Sequence, residues 1–495
     1  MSPANRKANR HPAKGKGSAA SRHPKRDERA PQPSHRPERS ERAAHHTERV
    51  ERSKRPLCHP ERSERSERSR RISAVRNSDT RANALCPIAC ECGACPHIGV
   101  PYAEQLARKD AYIRDLFVDL AGEACEFQPI LGMENPVRFR DKIASPFAPG
   151  RAKKQPAHQG KRASKAGATP KRDVLCGMYA PGTHRIVPIP ECPVEHEAGR
   201  KVIAAVRRIM LRYGMEAYDE DAGTGFVRHV VVRVGHETGE VLVTIVTNGD
   251  AFPGSKNFCR ELVKACPQVT TIVQNVNTRA TNAMLGQEER VLYGPGFILD
   301  TLCGLSFRIS SHSFYQVNAT QTEVLYRTAI DMAREALPER ADGAPITLMD
   351  AYCGTGTIGL VAASLIPGSH VLGVDNVESA IRDARLNAKH NGIENAEFTA
   401  EDAGAYLQRM ALAGANLDVL MMDPPRAGSS EEFLQAALTL APERIVYISC
   451  NPATQARDVR ILEQGGYHLQ RIQPVDMFPH TDHVETVVLM SRKDT

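Results

Sequence analysis

From Gln321 onward, short apolar runs alternate with amphipathic helical stretches, and few architectures accept that pattern. The runs Ile346–Asp350, His370–Asp375, Leu417–Asp423 and Arg444–Cys450 read as strands, with helical periodicity between them. A strand that reaches the next through a helix returns to the same end of the sheet and so runs parallel to it. The spacing therefore predicts an α/β, Rossmann-like domain whose sheet is covered by helices on both faces. Two further runs, Tyr467–Val475 and Val484–Met490, follow with no helix between them and are expected to close the sheet as an antiparallel pair.

A chain of 495 residues exceeds one ordinary domain. Residues 1–80 are expected to form a disordered, basic, low-complexity tail. They are rich in Arg, Ser, Pro and Glu, carry the repeat Glu61–Ser69, and hold too few apolar side chains to offset the entropy of ordering. Such a tail either gathers RNA or is a solvated appendage. Residues 81–310 read as a central α+β domain and 311–495 as the α/β domain. Apolar positions Leu106, Ile113, Leu116, Phe117 and Leu120 mark a helix over 102–123, a candidate to pack on the α/β domain. A helix is expected over 198–213, then a hairpin of Val230–Val234 and Val241–Val246. Residues 150–172 hold eight Lys/Arg and no acid, which reads as a loop that either touches phosphates or is simply solvated.

The net charge of +7 is unevenly placed. Residues 1–80 carry 22 Lys/Arg against 10 Asp/Glu, whereas the remaining 415 hold 43 against 48. Nucleic-acid binding by the body of the protein must therefore come from local patches, not from bulk charge. No apolar run is long enough for a membrane span and no signal peptide is apparent, so the chain is expected in the cytoplasm, as a monomer, with its 13 cysteines reduced.

The segment Asp350–Gly359 follows the first strand and opens a helix. Its glycines let a ligand approach the backbone, and the helix N-terminus offers unpaired N–H groups. Alone, such a turn suits several nucleotides or a purely structural role. Asp375, which ends the second strand, is placed to hold ribose hydroxyls. The glycine order departs from the dinucleotide pattern, and the fourth strand ends in Asp423-Pro424-Pro425-Arg426 at the edge where open α/β sheets bind ligands. With the terminal strand pair, these features favour S-adenosylmethionine over a dinucleotide.

Cys450 stands at the carboxyl end of a strand, and Asn451-Pro452 breaks the strand into a helix whose dipole is expected to favour a thiolate. Most free cysteines are inert core residues, the reading adopted for Cys303 and Cys353. Carbon 5 of uracil is a poor nucleophile until a thiolate adds at carbon 6, after which a base must remove the carbon 5 proton. Glu485, flanked by Val484, Val487 and Val488, is the expected base, its pKa raised by burial. His480 and His483 are its rivals, more readily understood as loop-positioning or RNA-contacting groups.

Ser313–Asn318, Asp350–Gly359, Asp423–Gly428, Ser449–Thr454 and Asp476–Glu485, in that order, resemble the RNA uracil-C5 methyltransferase family. The resemblance implies Cys450 as nucleophile, Glu485 as base, and contacts to S-adenosylmethionine from Gln316, Tyr352, Asp375 and Asp423. Asp375 stands where the family more often has Glu, and Thr357 and Asp402 are further candidates for the cofactor pocket. Cys86-x5-Cys92-x2-Cys95 with the distant Cys192 resembles the family's [4Fe–4S] ligand set, which implies an iron–sulfur cluster in the central domain and a 23S rRNA substrate. Four thiolates also suit zinc, and Cys90 or Cys176 could replace a ligand. The N-terminal TRAM barrel of many members has no counterpart in residues 1–80. Alternatives are a tRNA T-loop enzyme of the same chemistry, an exocyclic-amine methyltransferase, which would place an aromatic where Arg426 stands, and a non-catalytic iron–sulfur RNA-binding protein.

Overall fold

The computed structural model describes residues 85–152, 172–281, 283–335, 337 and 344–492. The tail expected over 1–80 and residues 153–171 of the expected basic loop lie outside them. That stretch starts and ends within strands rather than as free loop: β-structure runs through Ala152 and resumes at Arg172.

The N-terminal part has a one-turn helix α1 (Ala89–Cys92), helix α2 (Tyr102–Phe117) and a short strand β1 (Glu126–Phe127). Next come β2 (Lys142–Ala152), β3 (Arg172–Tyr179), β4 (Ile186–Pro188), α3 (Glu197–Tyr213), β5 (Val227–Val234), β6 (Val241–Thr247), α4 (Ser255–Ala265), β7 (Val269–Val276) and β8 (Glu288–Tyr293). A hairpin, β9 (Phe297–Leu302) and β10 (Leu305–Ser310), and α5 (Ala319–Arg334) precede the last part. There β11 (Ile346–Ala351), α6 (Thr357–Leu365), β12 (Ser369–Asp375), α7 (Glu378–His390), β13 (Ala396–Ala400), α8 (Ala403–Leu412) and β14 (Val419–Met422) alternate. They are followed by α9 (Glu431–Leu440), β15 (Arg444–Ser449), α10 (Pro452–Gln464), β16 (Tyr467–Val475) and β17 (Glu485–Arg492).

The last part builds an eight-stranded sheet of order β1-β16-β17-β15-β14-β11-β12-β13. Strands β11 to β15 pair parallel, and β17 runs antiparallel to both β15 and β16. The order reverses at β11, whose neighbours β12 and β14 lie on opposite sides, so a crevice opens at the carboxyl ends there. Consecutive residues enter different cores. Leu348, Val419 and Val446 face one, and Met349, Leu420 and Tyr447 the other, all fully buried. That alternation is what a sheet covered on both faces requires.

Three details differ from the sequence reading. Strand β13 was not expected, because Ala396–Ala400 carries one large apolar residue, Phe398, and an edge strand needs no more. The terminal pair is antiparallel, but β17 enters between β15 and β16, and the two-residue β1 covers the outer edge. Helix α2 stops at Phe117 rather than 123. Its Ile113 and Phe117, with Leu120 just beyond, pack in the same core as Met349 and Tyr447, and each such burial contributes roughly 1.5–3 kcal/mol.

A second, seven-stranded sheet has the order β4-β3-β2-β5-β6-β7-β8. The expected hairpin is β5–β6, paired antiparallel, and β6 reaches its parallel neighbour β7 through α4. Val202, Val206 and Ile209 of α3, with Phe258 and Leu262 of α4, form its core. Among the described residues no helix is long and apolar enough to cross a membrane.

Candidate active site

Three strands bring the candidate groups to one place: Cys450 directly follows β15, Asp423 directly follows β14, and Glu485 is the first residue of β17. Because β17 is antiparallel to β15, its first residue lies where β15 ends, and Thr486 pairs with Ser449. The chain turns sharply at Cys450. The Asn451 N–H donates to Ser449 Oγ (3.1 Å), and Pro452 opens α10 at a position where a missing N–H costs nothing.

Cys450 is a free thiol, half-buried. Burial pushes its pKa up, and the Glu485 and Asp423 carboxylates push it further; Arg426 opposes them through a hydrogen bond and its charge. Desolvation and the two acids outweigh the guanidinium, so the pKa moves away from the thiolate that the helix start was expected to favour.

Glu485 is 3% exposed, and burial and Asp423 push its pKa up to about 8, with Arg426 again opposing. Asp423 keeps some solvent contact, yet it is packed deeply enough that burial alone pushes its pKa up to about 7. Arg426 is a cation that opposes the shift at both Cys450 and Glu485, and its role is not apparent from sequence beyond its place after Pro-Pro. Its backbone carbonyl accepts from Asn451 Nδ2 (2.8 Å) and Thr454 Oγ1 (3.3 Å), which staples the loop after β14 to the start of α10. Gly428 closes that loop with φ +80, and a Cβ there would stand 2.7 Å from Asp458 Oδ2.

At the β11 end, Asp350 is buried, accepts from the Gly359 N–H (2.7 Å), and has its pKa pushed up to about 7 by burial and by Asp423 and Asp375. The next residue but one, Tyr352, adopts the left-handed φ of +64, and its ring packs 5.2 Å from Phe433. Asp375 does not stand free: its carboxylate accepts from the Gly354 N–H (3.0 Å) and the Val377 N–H (2.8 Å). It therefore braces the Gly-rich turn, leaving lone pairs for a ligand hydroxyl. A Cβ added at Gly354 would meet open space, so the turn presents bare backbone to the crevice. Bare backbone, a helix start, the buried Asp350 and the half-buried Asp375 and Asp423 fit a cationic, ribose-bearing cofactor. Thr357 bonds Tyr326 (3.0 Å) inside the core, and Asp402 caps α8 by accepting from the Ala405 N–H (2.9 Å).

Gln316 is half-buried on the segment between β10 and α5. Arg233, a charge interrupting the Val-rich β5, reaches this segment and donates to the carbonyls of Tyr315 and Ser313, each at 3.1 Å. From the α/β domain Thr355 Oγ1 donates to the Phe314 carbonyl (3.5 Å), and Phe314 is 70% exposed. Neither residue stood out in the sequence, Arg233 because an isolated charge in a strand has no periodic signature. His480 is buried and its ring bonds outside its own loop, to the Pro136 carbonyl (2.9 Å), whereas His483 is exposed.

Of the cysteine set, Cys86 is buried and Cys92, Cys95 and Cys192 are half-buried. Burial and then the charges of Cys192, Cys92 and Cys86 push the Cys95 pKa up to about 12, so the four thiols share one field. Among the described residues, however, no group of three or more His, Cys, Asp or Glu is arranged as a metal cage. Cys90 is exposed and Cys176 lies on β3.

Residues 302–493 match the family model described as tRNA (Uracil-5-)-methyltransferase. An uncharacterized RNA methyltransferase of Halalkalibacterium halodurans is 38% identical over 426 residues, 86% of this chain and 87% of that protein. Another from Bacillus cereus is 39% identical over 416 residues, 84% of each. Among solved structures, the Pyrococcus abyssi tRNA (uracil-54, C5)-methyltransferase in complex with S-adenosyl-L-homocysteine is similar, with a TM-score of 0.62 and 26% identity. That similarity covers 80% of this chain and 85% of that one. The chain is accordingly an S-adenosylmethionine-dependent enzyme that belongs to the RNA uracil-C5 methyltransferase family.

Proposed function

We propose that this enzyme methylates carbon 5 of one uridine in 23S rRNA through a covalent adduct between Cys450 and carbon 6, with Glu485 as the base. The observation that carries the reading is the shared field of Cys450, Glu485 and Asp423 at three adjoining strand ends, opposed by Arg426. In this reading Gln316, Tyr352, Asp375 and Asp423 hold S-adenosylmethionine, which supplies an electrophilic methyl group. Residues 311–495 carry the chemistry, and 81–310 grip the RNA in the cytoplasm.

Cys450 first loses its proton to solvent, which Arg426 favours. The thiolate adds to carbon 6, and the ring electrons move onto the carbon 4 oxygen as an enolate. The enolate then closes back to the carbonyl as carbon 5 bonds the methyl group that S-adenosylmethionine would supply, the sulfur–methyl bond breaking with its electron pair left on a neutral thioether. Ionised Glu485 takes the carbon 5 proton, the carbon 5–carbon 6 double bond re-forms, and the thiolate departs. A pKa of about 8 leaves Glu485 able both to ionise near neutrality and to accept that proton.

RNA carrying 5-fluorouracil tests the mechanism, because fluorine cannot leave as a proton. Incubated with S-adenosylmethionine, it should form a denaturant-stable adduct with the wild-type chain and none with Cys450→Ala; an adduct that survives the substitution rejects Cys450.

The 23S assignment is supported by the cysteine motif. A tRNA T-loop substrate is the second reading, favoured by the similarity to the Pyrococcus abyssi tRNA enzyme. Methylating 23S and tRNA transcripts side by side separates them. In the first reading Cys86, Cys92, Cys95 and Cys192 hold a [4Fe–4S] cluster that clamps the chain, a role supported by the thiolate donor set and its common field. An anaerobic preparation should show broad visible absorption that Cys92→Ser abolishes; a colourless, zinc-containing one rejects the cluster.

A further inference from the structure

The connection between β16 and β17 runs from Asp476 to Val484 and delivers Glu485. A hairpin connection of this length ordinarily lies on the surface. Here it is held inside: Asp476 and Met477 are fully buried, and His480 and Val484 nearly so. The groups that hold it come from the opposite end of the chain. Asp476 Oδ1 accepts from Lys109 Nζ (2.6 Å) and its Oδ2 from the Tyr102 hydroxyl (2.7 Å). Lys109 also donates to the Phe478 carbonyl (3.1 Å). Gln105 accepts from the His480 N–H (2.9 Å), and its Nε2 lies 3.2 Å from His480 Nδ1. The His97 N–H donates to the His480 carbonyl (3.1 Å), and its Nε2 stands 2.5 Å from Asp482 Oδ1.

A buried ion pair such as Lys109–Asp476 is a poor device for stability alone, since apolar residues of similar volume commonly serve as well. It is a good device for fixing geometry, because each charge accepts few arrangements. The register transmits that geometry: Val475, which precedes Asp476, pairs directly with Glu485. A base that removes a carbon-bound proton tolerates little displacement. We propose that Lys109, Tyr102 and Gln105 of α2 are positioning residues that set Glu485 for proton abstraction. This inference rests on the reading of Glu485 as base.

The test uses the full chain, unmodified substrate RNA and S-adenosylmethionine, with turnover and denaturant-stable adduct measured together. Glu485→Gln is the reference and should accumulate methylated adduct. Lys109→Met should lower turnover about 10–100-fold while the adduct forms at a near-normal rate, so that it also accumulates on ordinary uracil. Tyr102→Phe, which removes one hydroxyl and keeps the fold if Lys109→Met does not, should do so to a lesser degree. Lys109→Arg should restore turnover. If Glu485→Gln accumulates adduct while the α2 variants turn over normally, or lose adduct formation and turnover in equal proportion, the positioning role is overturned and the base stands. If Glu485→Gln accumulates none, the base falls and the positioning role with it.

Discussion

Two strand ends of one sheet carry a cysteine, a buried acid and a helix that begins a few residues later. Near the end of β11 lie Asp350, within the strand, and then Cys353 and α6; after β15 stand Cys450, the neighbouring Glu485 and α10. Cys353 is 6% exposed, and burial, Asp350 and Asp375 hold its pKa well above the usual thiol value. Cys450 also has a raised pKa, but it is half-buried and Arg426 pulls the other way. Closeness to a helix start is therefore common to both thiols, and access and a facing cation are what set Cys450 apart as the proposed nucleophile.

The sharpest way to break this contrast is to exchange the losses. Cys450→Ala should remove methyl transfer by at least about 10⁴-fold, whereas Cys353→Ala should retain activity and lose only a little stability. Equal losses at the two sites, measured with radiolabelled cofactor, would erase the distinction. Next in size, Glu485→Gln should lower turnover about 10²–10⁴-fold.

Glu485 also makes a stability prediction. Its folded pKa of about 8 exceeds the 4.5 of an ordinary glutamate, so between those values the folded state holds a proton that the unfolded state has lost. Stability is fully present below pH 4.5, falls as pH rises, and has lost its full share above pH 8. Glu485→Gln should thus melt like wild type at pH 4.5 and be more stable at pH 9, by roughly 2–4 kcal/mol. No pH-dependent gain would mean that the carboxylate finds compensation in the folded state.

The smallest effect is expected at Arg426. Its replacement by Ala should slow alkylation of Cys450 by iodoacetamide about 10-fold near neutral pH and leave Cys353 unreactive as before. An unchanged rate at Cys450 would remove the cation from the account of its reactivity.

Much of this site was legible before any coordinates. Cys450, Asp423 and Asp375 end strands whose apolar runs are plain, and strand ends of a parallel sheet converge on one edge by topology. Glu485 was visible as a lone acid opening an apolar run. The direction of the Cys450 shift was not legible. The helix that follows it is a local feature, while the two opposing carboxylates arrive from residues 27 positions before and 35 after. Asp375 was expected to serve a ribose, and its two backbone partners depend on how the Gly354 turn folds back over it. Strand β13 and the covering strand β1 were missed because edge strands carry little apolar signal.

The sequence by itself determined the parallel sheet, the strand ends that meet at one edge of it, and the thiol and acids that stand there. It could do so because side-chain periodicity and the position of a residue in its strand are local properties. Only the tertiary structure decided which thiol is reachable, which cation faces it, and what holds the Glu485 loop. Lys109 and Asp476 lie 367 residues apart, and no local pattern in either segment encodes that they share a buried contact.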